Sequence, residues 1–351
     1  SEGLWLCPSD PRNLELELNT MVEVARKYDV DGVHFDYIRY PDGNSCFCPG
    51  CRERFQRDTG ITVQNWPQDL RSDELRDAWT QWRCDQISRL VEATAREVRA
   101  IKPHCKISAA VFGSYPACRV SIGQDWVHWV EQGWLDFVCP MDYTASDPGF
   151  AALVINQRAL IGGRVPLYPG IGATASRSTL TADRVAGQIR ITRETGADGF
   201  TIFNYARGLA EALAPALGEA MLARPATMPH NAPAYRFDLG EPTRVHAFGL
   251  HLEPGAGMTA TVTRGEDIAG RQVSDIEAMV VLQDVDGNTL MELGPAPTVE
   301  ARVEVSFNPP NGLTRLAVVG SYDDGDGRRE FATRSLPIVT GGIAADIEPL
   351  L

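Results

Sequence analysis

The sequence predicts an α/β fold, a (β/α)8 TIM barrel entered at about its fourth βα unit, followed by an all-β sandwich. Three observations lead to it. Between residues 12 and 222, five short apolar runs each end in polar or aromatic residues and are followed by a helical stretch. Such alternation gives parallel strands joined by right-handed crossovers. A proline-rich stretch at 223–234 then interrupts the pattern, and beyond it the apolar positions alternate with period two.

The five strand-like runs are 30–36, 106–115, 135–143, 165–172 and 199–205. The intervening segments are amphipathic. In 14–28, Leu16, Val22 and Val24 point to a core. In 73–101, Trp79, Trp82, Ile87, Leu90, Val91, Val98 and Ile101 recur near a 3.6-residue spacing. Residues 183–195 and 210–222 read as two more helices. A closed barrel needs eight strands. The chain opens on Leu4-Trp5-Leu6-Cys7-Pro8, which reads as the end of a strand or its following loop. About three earlier βα units are therefore expected to be absent from this chain, and a five-stranded open sheet is the alternative. The expected domains are the C-terminal part of the barrel at 1–222, a linker at 223–234 and a β-sandwich accessory domain at 235–351. In the last, runs 243–252, 258–263, 277–282, 300–307 and 314–319 are β-rich. Asp286-Gly287-Asn288 and Asp323-Asp324-Gly325-Asp326-Gly327 are turn signals. These acidic turns lack the full calcium-loop pattern and read as ordinary turns.

Composition narrows the function. The 351 residues are 44% hydrophobic and 23% charged, which suits a globular chain with a sizeable core. The net charge of −13 repels phosphate backbones, so nucleic acid is not an expected ligand, whereas uncharged polysaccharide is compatible. No apolar run reaches the length of a membrane span. The chain starts at Ser1 with no visible signal peptide, yet a removed leader would leave the same start, and a secreted or periplasmic location is the expectation.

The segment Asp31-Gly32-Val33-His34-Phe35-Asp36-Tyr37-Ile38-Arg39-Tyr40-Pro41 carries the most chemistry. Val33 and Phe35 alternate with His34 and Asp36, so one pair faces the outer helices and the other the barrel interior. Asp36 then stands at the C-terminal end of its strand, where barrel active sites lie. A carboxylate there can serve as nucleophile, as base or as stabiliser of an oxocarbenium charge; the alternative is a structural acid paired with Arg39. His34 reads as a satisfied interior polar residue. Glycosidic hydrolysis needs two carboxyls, and the best visible partner is Asp142, which as an acid would need a raised pKa. Sugar binding alone is the other reading of Asp142, with the second carboxyl then supplied by the absent units. Tyr37, Tyr40, Phe112, Tyr115, Tyr143, Tyr168, Phe203 and Tyr205 cluster at strand ends, where aromatic faces suit pyranose rings. Arg39 and Asn204 join them as candidates for hydrogen bonds to sugar hydroxyls.

The segment 31–41 resembles the signature of glycosyl-hydrolase-like family 10, a group that includes cell-wall glycan hydrolases. Trp5-Leu6-Cys7-Pro8-Ser9-Asp10-Pro11 resembles the family's stretch before the helix that leads into this strand. Asp125-Trp126 through Asp136-Phe137-Val138-Cys139-Pro140-Met141-Asp142-Tyr143 resembles a later strand and its approach. The likeness covers about residues 4 to 210. It implies that the motif ends the fourth barrel strand and that the five visible strands are four to eight. Chitinase-type barrels are a more distant resemblance: Asp31, Gly32 and Asp36 match their fourth strand, and Met141 and Tyr143 their sixth. The chitinase acid, however, falls here on Ile38, or on Arg39 after a one-residue slip, and neither is a carboxylic acid. The implied function is a glycoside hydrolase, an O-glycosyl hydrolase, with a bacterial cell-wall polysaccharide as candidate substrate. The rivals are a carbohydrate-binding protein on a barrel scaffold without catalysis, and a transglycosylase.

Of the eight cysteines, Cys46, Cys48 and Cys51 form a Cys-x-Cys-x-x-Cys cluster directly after the Asp36 motif. Three thiolates this close suit tetrahedral Zn²⁺, given a fourth ligand; free thiols or one disulfide are the alternatives. The spacing resembles the zinc cluster of family-42 β-galactosidases, which adds one earlier cysteine, and Cys7 is the fourth candidate here. Four thiolates leave no open position, so this zinc would be structural.

Overall fold

The computed structural model describes residues 4–219, 222, 228–229, 233, 235–240, 244–246, 249–265, 274–323, 327–335 and 337–341. Most of the expected linker at 223–234, and the central residues of the 323–327 turn, lie outside the described residues. The chain forms two compact units, Ser1–Pro140 and Met141–Leu351.

The first unit opens with helix α1 (Pro11–Lys27), started by Asp10, whose side chain accepts from the Arg12 N–H, and closed by Arg26 and Lys27 in its last turn. Strand β1 (Gly32–Phe35) follows, then helix α2 (Pro49–Thr59), ended by Gly60 in the left-handed region. The long α3 (Asp73–Ile101) is capped by the Ser72 hydroxyl and carries Asp73 and Glu74 in its first turn. Strand β2 (Lys106–Val111), short helices α4 (Ala117–Ile122) and α5 (Trp126–Glu131), and strand β3 (Phe137–Pro140) complete it. The three strands form a parallel sheet in the order β1-β2-β3, with His34 beside Ser108 and Val111 beside Pro140. Nearly all of β2 is buried, as a parallel strand covered on both faces should be. Helix α3 packs against α1, α2, α4 and α5 and supplies Val91, Ala95 and Val98 to the interior.

The second unit begins with α6 (Asp147–Ile161), capped by Ser146. Strand β4 (Gly170–Gly172), the small hairpin β5 (Thr174–Ala175) and β6 (Ser178–Thr179), helix α7 (Ala182–Thr195) and strand β7 (Thr201–Phe203) follow. β4 and β7 pair in parallel. The apolar run 165–172 yields only three ladder residues, because Pro166 and Pro169 have no N–H to offer. The helix expected at 210–222 begins as a π turn over Leu209–Leu213 and becomes α8 at Ala214–Glu219, with Pro215 at the change.

Ten strands complete this unit: β8 (Tyr235–Asp238), β9 (Arg244–His246), β10 (Gly249–Leu252), β11 (Met258–Arg264), β12 (Ser274–Gln283), β13 (Thr289–Pro295), β14 (Arg302–Phe307), β15 (Gly312–Asp323), β16 (Arg328–Arg334) and β17 (Ile338–Thr340). They make a seven-stranded sheet, β13-β12-β15-β17-β10-β9 with β16 also on β15, and a three-stranded sheet, β14-β11-β8. Val262, Val280, Leu282, Leu316, Val318 and Ile338 fill the core of this β-rich region. It packs directly on the end of α7. Arg193 pairs with Asp286 at 3.4 Å, and Arg315, buried, donates to the Arg193 carbonyl. Gly196, with φ +88°, ends α7 where a Cβ would meet Pro337 Cδ at 2.8 Å.

Candidate functional site

Asp36 directly follows β1. Val33 and Phe35 are buried while His34 and Asp36 are exposed, so the alternation is as expected, but His34 is not the interior residue expected from the sequence. The Asp36 side chain is 55% exposed, and its Oδ1 accepts the Tyr37 N–H at 2.7 Å. His34 Nδ1 lies 2.8 Å from Ser108 Oγ, its neighbour across the β1–β2 pair. Desolvation of the ring lowers the His34 pKa, opposed by the charge of Asp36.

Alternation stops at Tyr37, whose φ of 54° turns the chain. Ile38, Arg39 and Tyr40 consequently go inward. The Arg39 guanidinium, only 8% exposed, stands over the rings of Tyr37 (4.3 Å), Phe112 (5.0 Å) and Trp5 (5.7 Å). Its Nη1 is 4.0 Å from Asp36 Oδ1 and has no hydrogen-bond partner among the described residues. The expected sugar contacts of Arg39 are thus displaced by an aromatic cage. Tyr40 is fully buried beneath Arg83 at 4.3 Å and occupies a core position without surface for a ligand. Tyr37 and Trp5, ring centroids 5.6 Å apart, form the accessible aromatic surface beside Asp36. Tyr115 instead donates its hydroxyl to Asp125, which also pairs with Arg119 at 2.8 Å.

In the second unit, Asp142 is 1% exposed, and Gln157 Nε2 donates to its Oδ1 at 2.7 Å. Its Oδ2 has no partner among the described residues. Burial raises this carboxyl to about 7, against the opposing hydrogen bond from Gln157. Tyr143 stacks on Phe203 with centroids 5.0 Å apart. Asn204 is tied to Thr174 through its Oδ1 (2.8 Å) and its N–H (3.1 Å), and Tyr205 is largely exposed. Tyr168, like Tyr40, is a buried residue rather than a surface one.

The cysteine cluster is fully assembled. The Sγ atoms of Cys7, Cys46, Cys48 and Cys51 all lie within 4.8 Å of one another. Cys7 is 3.9 Å from Cys48 and 3.5 Å from Cys51, and Cys48 is 3.5 Å from Cys51. Ser9 Oγ approaches Cys7 and Cys51 at 3.4 and 3.2 Å. Arg54 donates to Ser9 Oγ at 3.0 Å and to Cys7 Sγ at 3.7 Å. Hydrogen bonds from Cys46 and Cys51 hold the Cys7 thiol far below its ordinary range. Beneath the sulfurs lies an apolar cluster in which Phe55 meets Trp66, Trp79 and Trp82, and Phe47 stacks on Trp79. This donor set can hold a metal ion. Trp5, Ser9, Arg54 and Gln157 were not singled out by sequence reasoning as site residues. For Trp5 and Ser9 the available signal was their place two residues either side of Cys7.

Residues 1–174 match the model of the family described as Glycosyl hydrolase-like 10. An S-layer-related protein of Niallia circulans is 26% identical over 212 residues, covering 48% of this chain and 13% of that protein. Glycosyl hydrolase YngK of Bacillus subtilis is 23% identical over 159 residues, covering 40% of this chain and 28% of that protein. The chain therefore spans less than a third of the length of these relatives. Among solved structures, the glycoside hydrolase domain of PgaB (BpsB) from Bordetella bronchiseptica superposes with a TM-score of 0.52 at 16% identity, covering 62% of this chain and 65% of that one. This likeness establishes a shared fold. No helix among the described residues is long and apolar enough to cross a membrane.

Proposed function

We propose that the protein is a glycoside hydrolase that cleaves O-glycosidic bonds in a polysaccharide, a bacterial cell-wall glycan. The carrying observation is Asp36: an exposed carboxylate just past the C-terminal end of a parallel strand, fixed by the N–H of Tyr37, whose ring meets that of Trp5. In this reading Asp36 acts as nucleophile or base, and charge developing on the sugar is stabilised by its carboxylate. Asp142, largely protonated below about pH 7, is assigned as proton donor to the leaving group. Tyr37, Tyr143, Asn204 and Tyr205 are assigned to binding. The family match and the PgaB-like fold support this reading. The test is release of reducing ends from purified peptidoglycan and from other bacterial glycans, comparing the parent with Asp36→Asn. Loss of Asp142 should slow substrates with poor leaving groups while sparing aryl glycosides that need no proton.

The cysteine cluster fits Zn²⁺, held by Cys7, Cys46, Cys48 and Cys51. Four sulfur ligands would close the coordination shell, so the ion would brace the loop after Asp36 rather than activate water. A secreted or periplasmic location goes with a glycan substrate and with the S-layer-related relative. A binding protein without catalysis is the second reading, favoured by the buried Ile38 where chitinases carry their acid.

A further inference from the structure

We infer that Trp5 is a saccharide-stacking wall of the Asp36 site, and that the four-cysteine cluster is what holds it there. This rests on the glycosidase and metal readings above. Trp5 is partly exposed, and its ring sits 5.6 Å from Tyr37 at an interplanar angle of 57°, making an aromatic corner next to Asp36. One side of that corner is backed by the buried Arg39 guanidinium. Such a corner offers two flat, apolar faces to the axial C–H groups of a sugar ring.

Nothing in regular secondary structure positions Trp5. Residues 4–7 form no helix or strand, and Leu4 and Leu6 on either side of it are exposed. The ring rests on Tyr37 and Arg39, and the nearest fixed point along the backbone is Cys7, two residues on, which is tied through sulfur to Cys48 and Cys51 and contacted by Ser9 and Arg54. The Cys7 carbonyl is also held, by the Asp10 N–H and by Asn13 Nδ2, both at 3.1 Å. Cys46 and Cys48 belong to the connection that leaves Asp36, and Cys51 to the first turn of the helix α2 that ends it. A metal joining all four sulfurs would therefore clamp the Trp5 segment to the loop that leads away from Asp36. Without it, the tie at the sulfurs would be reduced to weak thiol contacts and to the hydrogen bonds of Ser9 and Arg54. The cluster would thus act on glycan affinity, through one aromatic side chain, and not on the chemical step.

The experiment uses the full chain labelled with 5-fluorotryptophan, the Trp5 signal being assigned by its loss in Trp5→Phe. Glycan binding is measured on the Asp36→Asn background with solubilised peptidoglycan strands. Chelation of zinc should shift or broaden the Trp5 fluorine line while the lines of buried Trp126 and Trp129 stay in place. In zinc-loaded protein, Trp5→Ala should weaken strand binding about tenfold, and Trp5→Phe far less. Chelation of the Trp5-containing protein should produce a similar loss, and chelation of Trp5→Ala should add little. A Trp5 line that ignores chelation overturns the clamp. Strand binding by Trp5→Ala equal to that of the parent overturns the wall while leaving the Asp36 reading standing. Failure of any zinc-loaded form to bind the strands overturns the wall together with the glycan class proposed above.

Discussion

Arg39 Nη1 lies 4.0 Å from Asp36 Oδ1, close enough to feel its charge and too far for a hydrogen bond. The carboxylate is instead fixed by the Tyr37 N–H, and the guanidinium by the rings around it. Asp36 is thus oriented but not neutralised by a tight salt bridge, a state suited to a nucleophile or base.

Replacing Asp36 with Asn removes that charge and keeps the oxygen that accepts from Tyr37. Turnover should fall by several orders of magnitude, with the melting temperature and glycan affinity nearly unchanged. Rate assays on any glycan the parent cleaves decide it: undiminished turnover removes Asp36 from the mechanism.

Arg39→Lys keeps the positive charge but loses the flat group that stacks on Tyr37 and Phe112. A lysine ammonium is also costlier to bury. We expect kcat to drop by about tenfold with little change in KM, since Arg39 is enclosed and acts beside Asp36. A change confined to KM would instead return Arg39 to the sugar contacts expected from sequence.

That contrast shows where the sequence was legible. The alternation of Val33, His34, Phe35 and Asp36 is local, and it was read correctly because period two fixes the faces of a strand. All five apolar runs contain a strand, and the 73–101 helix has the same bounds in the structure. The reading failed at Tyr40, because the positive φ of Tyr37 ends the alternation, and backbone turns of that kind leave no mark in side-chain pattern. The burial of Arg39 was equally hidden, since it depends on Phe112, remote in sequence. Strands β5, β6, β8, β13, β16 and β17 were missed because their alternation is short or one-sided. The cysteine cluster was legible because three of its members, Cys46, Cys48 and Cys51, fall within six residues.

Asp142 makes stability depend on pH. In the folded protein its carboxyl titrates at about 7, raised from an ordinary value of 3.8. Between about pH 4 and 7 the folded state keeps a proton that the unfolded chain has lost, so this residue's contribution to stability falls as pH rises through that window and levels off above it. Asn resembles the protonated acid and can still accept from Gln157. Asp142→Asn should therefore match the parent near pH 4 and exceed it increasingly up to pH 7, by about 4 kcal/mol at most. Denaturant melts across this range test it; a stability difference that does not vary with pH would exclude a raised Asp142.

Gly196→Ala probes the packing of the β-rich region on α7. The position has φ +88°, and the added methyl would meet the Arg158 guanidinium and Pro337. Strain and crowding together should cost about 1–3 kcal/mol, read as a lower denaturation midpoint. The control Gly133→Ala also has a positive φ, +68°, but meets nothing within 4 Å, so it should cost less. Equal losses would mean that backbone strain alone, and not the contact with Pro337, sets the effect.

Tetrahedral Zn–S bonds of about 2.3 Å place sulfurs about 3.8 Å apart. The observed separations of 3.5, 3.5 and 3.9 Å bracket that value before any ion draws the ligands into place. A tetrathiolate zinc centre carries a net charge of −2, and Arg54 beside Cys7 offsets part of it, a role that neutral thiols would not require. We therefore expect one zinc per chain by elemental analysis, and a cobalt-loaded form with intense thiolate charge-transfer absorption. Cys48→Ser should lose most of the metal and lower the melting temperature, because α2 starts at Pro49 and the aromatic cluster of Phe55, Trp79 and Trp82 lies beneath the sulfurs. Cadmium should restore stability as zinc does, since a closed site asks only for a soft tetrahedral ion. Activity should return with cadmium to the same extent, which separates a bracing ion from one that activates water. Protein purified without chelator that contains no zinc, with four freely titrating thiols at these positions, would show that the sulfurs converge for packing alone.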